Sequence, residues 1–218
     1  MEGEAEVIAA LYVEPGGAYY GLPGVDPWDQ TRDARQYSGP WPVVAHPPCE
    51  RWGRMWFGSP RKPDKNLYRL GDDGGCFEAA LTAAKKYGGV IEHPAYSNAW
   101  RHFGLIAPPN TGGWVVADWF GGWGCYVEQG HYGHAGRKPT WLYANSTSLP
   151  SLRWGAAEQR LCPIMLERHG YEKARRCGIT GSLGGKKKKS ARAASPPEFR
   201  DLLLSIAATA SPKASHAA

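Results

Sequence analysis

Three side chains in this sequence stand where chemistry is possible. Cys49 closes the run His46-Pro47-Pro48-Cys49, directly after an apolar stretch from Trp41 to Ala45. The two prolines fix the chain direction and aim the cysteine out of a strand end, where a thiol can act as a nucleophile. A cysteine in such a place also serves as a small buried hydrophobe. Glu92 follows a second apolar stretch, Gly89 to Ile91, and opens Glu92-His93-Pro94. Its carboxylate suits a general acid, or a hydrogen-bond partner for the loop behind it. Gln129 ends a third stretch and leads into Gly130-His131-Tyr132-Gly133-His134 and then Arg137-Lys138-Pro139-Thr140, a supply of amide and cationic donors. His46-x-x-Cys49 and His131-x-x-His134, with His93 and Cys125, also have the spacing of metal ligands. Histidines beside glycines in loops are commonly polar turn residues, and no Cys-x-x-Cys pair reinforces these, so no metal is expected.

The elements that must hold these groups follow from hydrophobic runs between Gly and Pro punctuation. Val7–Val13, Trp41–Ala45, Gly89–Ile91, Trp114–Phe120, Cys125–Glu128 and Thr140–Ala144 read as strands. Phe77, Ala80, Leu81, Ala84 and Tyr87 recur at helical spacing, behind Asp72 and Asp73 as cap candidates and before Gly88-Gly89 as a stop. Strand, helix, strand over residues 41–91 is a βαβ unit, so the fold class is α/β with a sheet parallel at its centre. Functional groups in such a sheet collect at the C-terminal ends of the strands, where Cys49 and Glu92 fall. Residues 156–170 are compatible with a helix, the segment around 181–195 reads as disordered, 197–208 offers a closing helix, and 209–218 reads as a tail.

Composition bounds the rest. At 218 residues the chain suits one domain, here 1–150, with an extension over 151–218. Residues 151–218 carry 13 Lys and Arg against 5 acidic residues, whereas 1–150 carry 13 against 15, so the excess positive charge belongs to the extension. That asymmetry favours a polyanionic partner, nucleic acid first, with a solvated basic tail as the alternative. Five cysteines form neither a disulfide framework nor a zinc ribbon. No apolar run approaches the roughly 18 residues of a membrane span, and the N-terminus lacks a signal pattern. The expectation is a cytoplasmic protein with no membrane partner.

Order and spacing of the three motifs resemble DNA cytosine-5 methyltransferases. Pro48-Cys49 resembles that family's nucleophile loop, Glu92-His93-Pro94 its glutamate element, and Gln129 with Tyr132, Gly133, Arg137, Lys138 and Thr140 its third block. Ser195-Pro196-Pro197-Glu198 to Ile206 more faintly resembles a late helix of the family, and the likeness extends to small proteins encoded by bacteriophages. The resemblance implies a Rossmann-like methyltransferase-type sheet and modification of a pyrimidine, cytosine first, in DNA. Cys49 would add to C6, Glu92 would hold and protonate N3, and Gln129 and Arg137 would orient the ring. C6 is unreachable inside a duplex, so the base is flipped out or single-stranded, or the substrate is a free nucleotide. Trp52 and Tyr132 are then candidates to stack on it, or are core residues; Lys138 and the run Lys186, Lys187, Lys188 and Lys189 are candidates for phosphate contact.

The pattern departs from the family at the donor end. The resemblance implies S-adenosylmethionine as methyl donor, held by a Phe-x-Gly-x-Gly loop, a helix and an acidic strand end. This chain has Val13-Glu14-Pro15-Gly16-Gly17 and reaches Val25-Asp26 after only Ala18 to Gly24, so the donor half reads as truncated. Gly16, Gly17 and Asp26 are either remnants of the pocket or turn residues. No separate target-recognition domain is present in 146–218. An enzyme that modifies nucleobases and a catalytically degenerate factor that binds nucleic acid or protein therefore both remain open.

Overall fold

A computed structural model describes residues 7–58, 68–185, 187, 191 and 194–210. The chain forms an α/β fold of Rossmann-like kind around one mixed sheet of seven strands in the order β2-β1-β3-β4-β7-β6-β5. The strands are β1 (Ile8–Leu11), β2 (Val25–Trp28), β3 (Val43–Ala45), β4 (Gly89–Pro94), β5 (Val115–Val116), β6 (Trp123–Glu128) and β7 (Pro139–Asn145). The helices are α1 (Cys76–Tyr87), α2 (Asn98–His102), α3 (Pro163–Cys177) and α4 (Pro197–Ala208). β2, β1, β3 and β4 run parallel, and β7, β6 and β5 complete the sheet in antiparallel pairs.

The β3-α1-β4 unit forms as the sequence predicts, and its ends show why. The Asp73 carboxylate accepts from the backbone N–H groups of Gly75 and Phe77, two donors that the first turn of α1 leaves over. At the other end Gly88 closes the helix onto Ala84. Gly89 then starts β4 at φ 117° beside β3, where a Cβ would lie 2.0 Å from the Val43 carbonyl oxygen. Only glycine permits that approach.

Parallel strands at the centre of a sheet are covered on both faces, and β1 and β3 are apolar throughout. Leu11, Val43, Ala45 and Ile91 face α1 and α2 with Trp52, Phe77 and Trp100. Ile8, Ala10, Val44, Val90, Val127 and Leu142 face α4, whose Phe199, Leu203 and Ile206 are fully buried. Each such side chain contributes about 1.5–3 kcal/mol of burial, so α4 is the second layer of the core rather than an outlying extension.

Several sequence expectations change. β2 carries Pro27 and has a partner on one side only, the edge position in which a strand tolerates proline; its Val-Asp-Pro-Trp gives no alternation to read. The strand expected over Trp114–Phe120 is reduced to Val115–Val116, because Asp118 turns the chain by accepting from Phe120 N and Gly122 N. The helix expected over 156–170 starts instead at Pro163, a residue suited to a first turn, and runs to Cys177 across a break at Gly170. Ile179–Ser182 is a 3-10 turn. Of the lysine run, Lys187 is described and exposed, while Lys186, Lys188 and Lys189 lie outside the described residues, as does 211–218. No helix among the described residues is long and apolar enough to cross a membrane.

Candidate functional site

The site is assembled by strand register. β3 pairs with β4 so that Ala45 lies beside Ile91, which sets the next residues, His46 and Glu92, side by side at the C-terminal edge. His46 Nδ1 lies 3.0 Å from Glu92 Oε2, and His46 Nε2 lies 2.8 Å from the Tyr19 hydroxyl. On the other flank, β7 runs antiparallel to both β4 and β6, bringing Thr140 and Gln129 to the same edge. Gln129 Nε2 donates to Glu92 Oε1 at 2.9 Å and to Thr140 Oγ1 at 3.0 Å. Thr140 in turn donates to the Lys138 carbonyl. Tyr19, Glu92, Gln129 and Thr140 are all buried, so a continuous polar chain crosses the strand ends inside the protein.

Cys49 begins the turn that follows, its carbonyl accepting from Trp52 N and Gly53 N at 3.1 Å each. It lines an open cleft of about 430 Å³ together with Arg51, Gly53, Arg54 and Met55. Three ionisable groups meet here. Burial opposes ionisation of Glu92, but the His46 hydrogen bond and the Lys138 charge outweigh it and hold the carboxyl at about 2. Burial pushes the Cys49 thiol up, and the Glu92 charge pushes it further, with Lys138 acting in the opposite sense. Burial lowers Lys138, against the pull of Glu92 and Cys49. At neutral pH the arrangement is therefore a thiol, a carboxylate and an ammonium group within electrostatic reach of one another.

Cys49, Glu92, Gln129 and Lys138 are thus brought together; the other expected site residues are elsewhere. Arg137 is engaged by Glu128, which is fully buried and also accepts from the Tyr126 hydroxyl and Ala157 N. Trp52 is core: 1% exposed, packed on Phe77 and Phe103, with its indole N–H on Asp73, so it has no face for a base. Tyr132 is buried against Phe199 and its hydroxyl accepts from Arg153 N. Gly16 and Gly17 lie in the turn after β1, where a Cβ on Gly17 would meet the Glu14 carbonyl oxygen at 2.8 Å. Asp26 accepts from Arg32 and from the Trp28 indole.

The candidate metal ligands are dispersed. His46 is bonded to Glu92 and Tyr19, His131 to the Gly155 carbonyl, His134 to Gly136, and Cys125 lies in the core. His93 is buried against Phe77 and Trp100, and burial lowers it to about 4. No group of three or more His, Cys, Asp or Glu among the described residues converges to hold a metal ion.

Sequence reasoning did not find the partnership of His46 and Tyr19 with Glu92. Extending the β3–β4 register by one residue finds the first; nothing local signals the second. No protein-family model matches the chain, and no curated protein or solved structure matches it.

Proposed function

We propose that this protein modifies a pyrimidine base, cytosine first, in single-stranded or flipped-out DNA, through covalent addition of Cys49. The observation that carries the reading is the placement of Cys49, in the turn after β3, within electrostatic reach of Glu92 on the adjacent parallel strand β4, with Gln129 bonded to the same carboxylate. The Cys49 sulfur bonds to C6, the C5=C6 π pair moves into the ring, and N3 gains a proton. That proton is the one the thiol loses, carried by Glu92, which is ionised. C5 is left electron-rich and open to an electrophile. The raised thiol makes this transfer part of the addition step rather than a prior equilibrium.

A polyanionic partner agrees with the exposed cations Arg168, Lys173, Arg175 and Arg176 of α3. The reading of the sheet as methyltransferase-type, truncated at one end, draws support from its parallel half completed by the antiparallel β7. The donor end does not fit S-adenosylmethionine. No helix follows β1, Gly17 serves its own turn, and Asp26 is taken up by Arg32 and Trp28, so no step is routed through that cofactor. The same observation favours a second reading, a degenerate binding module.

Release of tritium from cytosine labelled at C5 tests the addition, because the electron-rich C5 of the adduct takes a proton from water and gives up its tritium before Cys49 is expelled. Intact mass after incubation with single-stranded DNA containing 5-fluorocytosine, with and without S-adenosylmethionine, reports trapping. Exchange or an adduct that vanishes in Cys49→Ala supports the enzyme reading. DNA binding with neither signal overturns it in favour of the binding module.

A further inference from the structure

The buried chain of hydrogen bonds runs on past Glu92 to two residues that the addition step does not use, His46 and Tyr19. We propose that His46 is a positioning residue for the reaction above: held in its Nδ1–H tautomer by the Tyr19 hydroxyl, it keeps the Glu92 carboxylate fixed and ready to accept the Cys49 proton. The inference rests on the nucleobase reading.

The direction of every bond in the chain follows from its far end. Thr140 donates to a carbonyl, so its oxygen accepts from Gln129. The Gln129 amide nitrogen therefore points at Glu92 and satisfies Oε1. Oε2 is left needing a donor, and His46 Nδ1 stands 3.0 Å away, so Nδ1 carries the hydrogen. His46 Nε2 is then a lone pair, filled by the Tyr19 hydroxyl at 2.8 Å. Tyr19 is 4% exposed, and burial followed by the Glu92 charge raises its pKa, so it stays a phenol able to donate. A second proton on His46 would face the tyrosine oxygen and displace that donor. The tautomer that satisfies all partners leaves the negative charge on Glu92, where the thiol can use it.

The other groups facing this pair come from four elements. Cys49 from the turn after β3, Lys138 from the loop that leads into β7 and His93 from β4 act on Glu92 or feel it, and Arg200 and Asp201 of α4 act on Tyr19.

The experiment measures C5 tritium exchange against pH for the full chain, His46→Leu, His46→Asn and Tyr19→Phe. His46→Leu removes the donor, so Glu92 accepts protons at higher pH: exchange slows on the order of 100-fold and its acid limb moves to higher pH. His46→Asn restores an N–H donor and recovers the acid limb to its original position. Tyr19→Phe gives a smaller shift in the same direction. Equal slowing by Leu and Asn with unmoved acid limbs overturns the proposal, since packing alone does that. Imidazole ¹⁵N shifts test it separately where wild type shows no exchange and the nucleobase reading itself fails. The Nδ1–H tautomer at His46, lost in Tyr19→Phe, sustains the hold of Tyr19 and His46 on the Glu92 carboxylate; an Nε2–H tautomer in wild type overturns it.

Discussion

Glu92 and Asp29 are both acids held at about 2, and they arrive there by opposite routes. Asp29 owes its acidity to the Thr31 hydroxyl two residues on and to the Tyr20 hydroxyl, with the Thr31 and Arg32 backbone N–H groups adding to a compact turn. Glu92 is gripped by His46 and Gln129, 46 and 37 residues away, and must overcome the cost of burial first. A local turn stabilises a charge wherever the chain makes it. A buried carboxylate exists only if several distant strands meet correctly, so its low pKa is a property of the assembled sheet edge. The β2 edge of the sheet is built by local contacts, as Asp29 is: Asp26 and Arg32 pair six residues apart, with side chains 34% and 43% exposed. The hydrogen-bond chain through Glu92 instead joins residues of β4 and β7 with residues that follow β1, β3 and β6.

The largest test of this contrast is Glu92→Gln. It removes the proton acceptor while keeping the shape, and C5 exchange is expected to fall by about 10²–10⁴-fold; exchange at the wild-type rate breaks the assignment of Glu92. Trp52→Ala comes next. A fully buried indole packed under α1 costs about 3–5 kcal/mol when truncated, read as a lowered denaturation midpoint. Weaker DNA binding at unchanged stability would instead return Trp52 to a base-stacking role.

The pH dependence of stability sharpens the comparison further. Glu92 has a folded pKa of about 2, below its unfolded value near 4.5, so its contribution is complete above 4.5 and is lost as pH falls through 2. The loss is on the order of 3 kcal/mol for a group this buried. Thermal melts between pH 5 and 2 should show a larger loss for wild type than for Glu92→Gln, because Asp29 titrates over the same range in both and only the difference belongs to Glu92. The smallest effect belongs to the β2 edge: Asp26→Asn, at an exposed ion pair, should change stability by less than about 1 kcal/mol and leave C5 exchange unaltered.

How much of this is readable in advance depends on the range of the interactions. The β3-α1-β4 unit is plain in the sequence because its signals, the apolar period, the Asp73 cap and the Gly88-Gly89 stop, lie within a few residues of what they control. Cys49, Glu92 and Gln129 are likewise marked by strand ends and flanking prolines or glycines. Trp52 and Tyr132 illustrate the limit. An aromatic residue after a strand has the same local pattern whether it faces a ligand or the core, and only the positions of Phe77, Phe103 and Phe199 decide between them. Arg137 is similar, since its partner Glu128 is buried by strands the local pattern does not place.

By itself the sequence determined the α/β class and the central parallel unit, because hydrophobic period, caps and turn residues act over short distances. Tertiary structure alone decided that His46 and Tyr19 stand behind Glu92, that Lys138 joins Cys49 and Arg137 does not, and that α4 closes the core. Those outcomes turn on register and on which buried charges find partners, and both are settled only when strands far apart in the chain come to lie side by side.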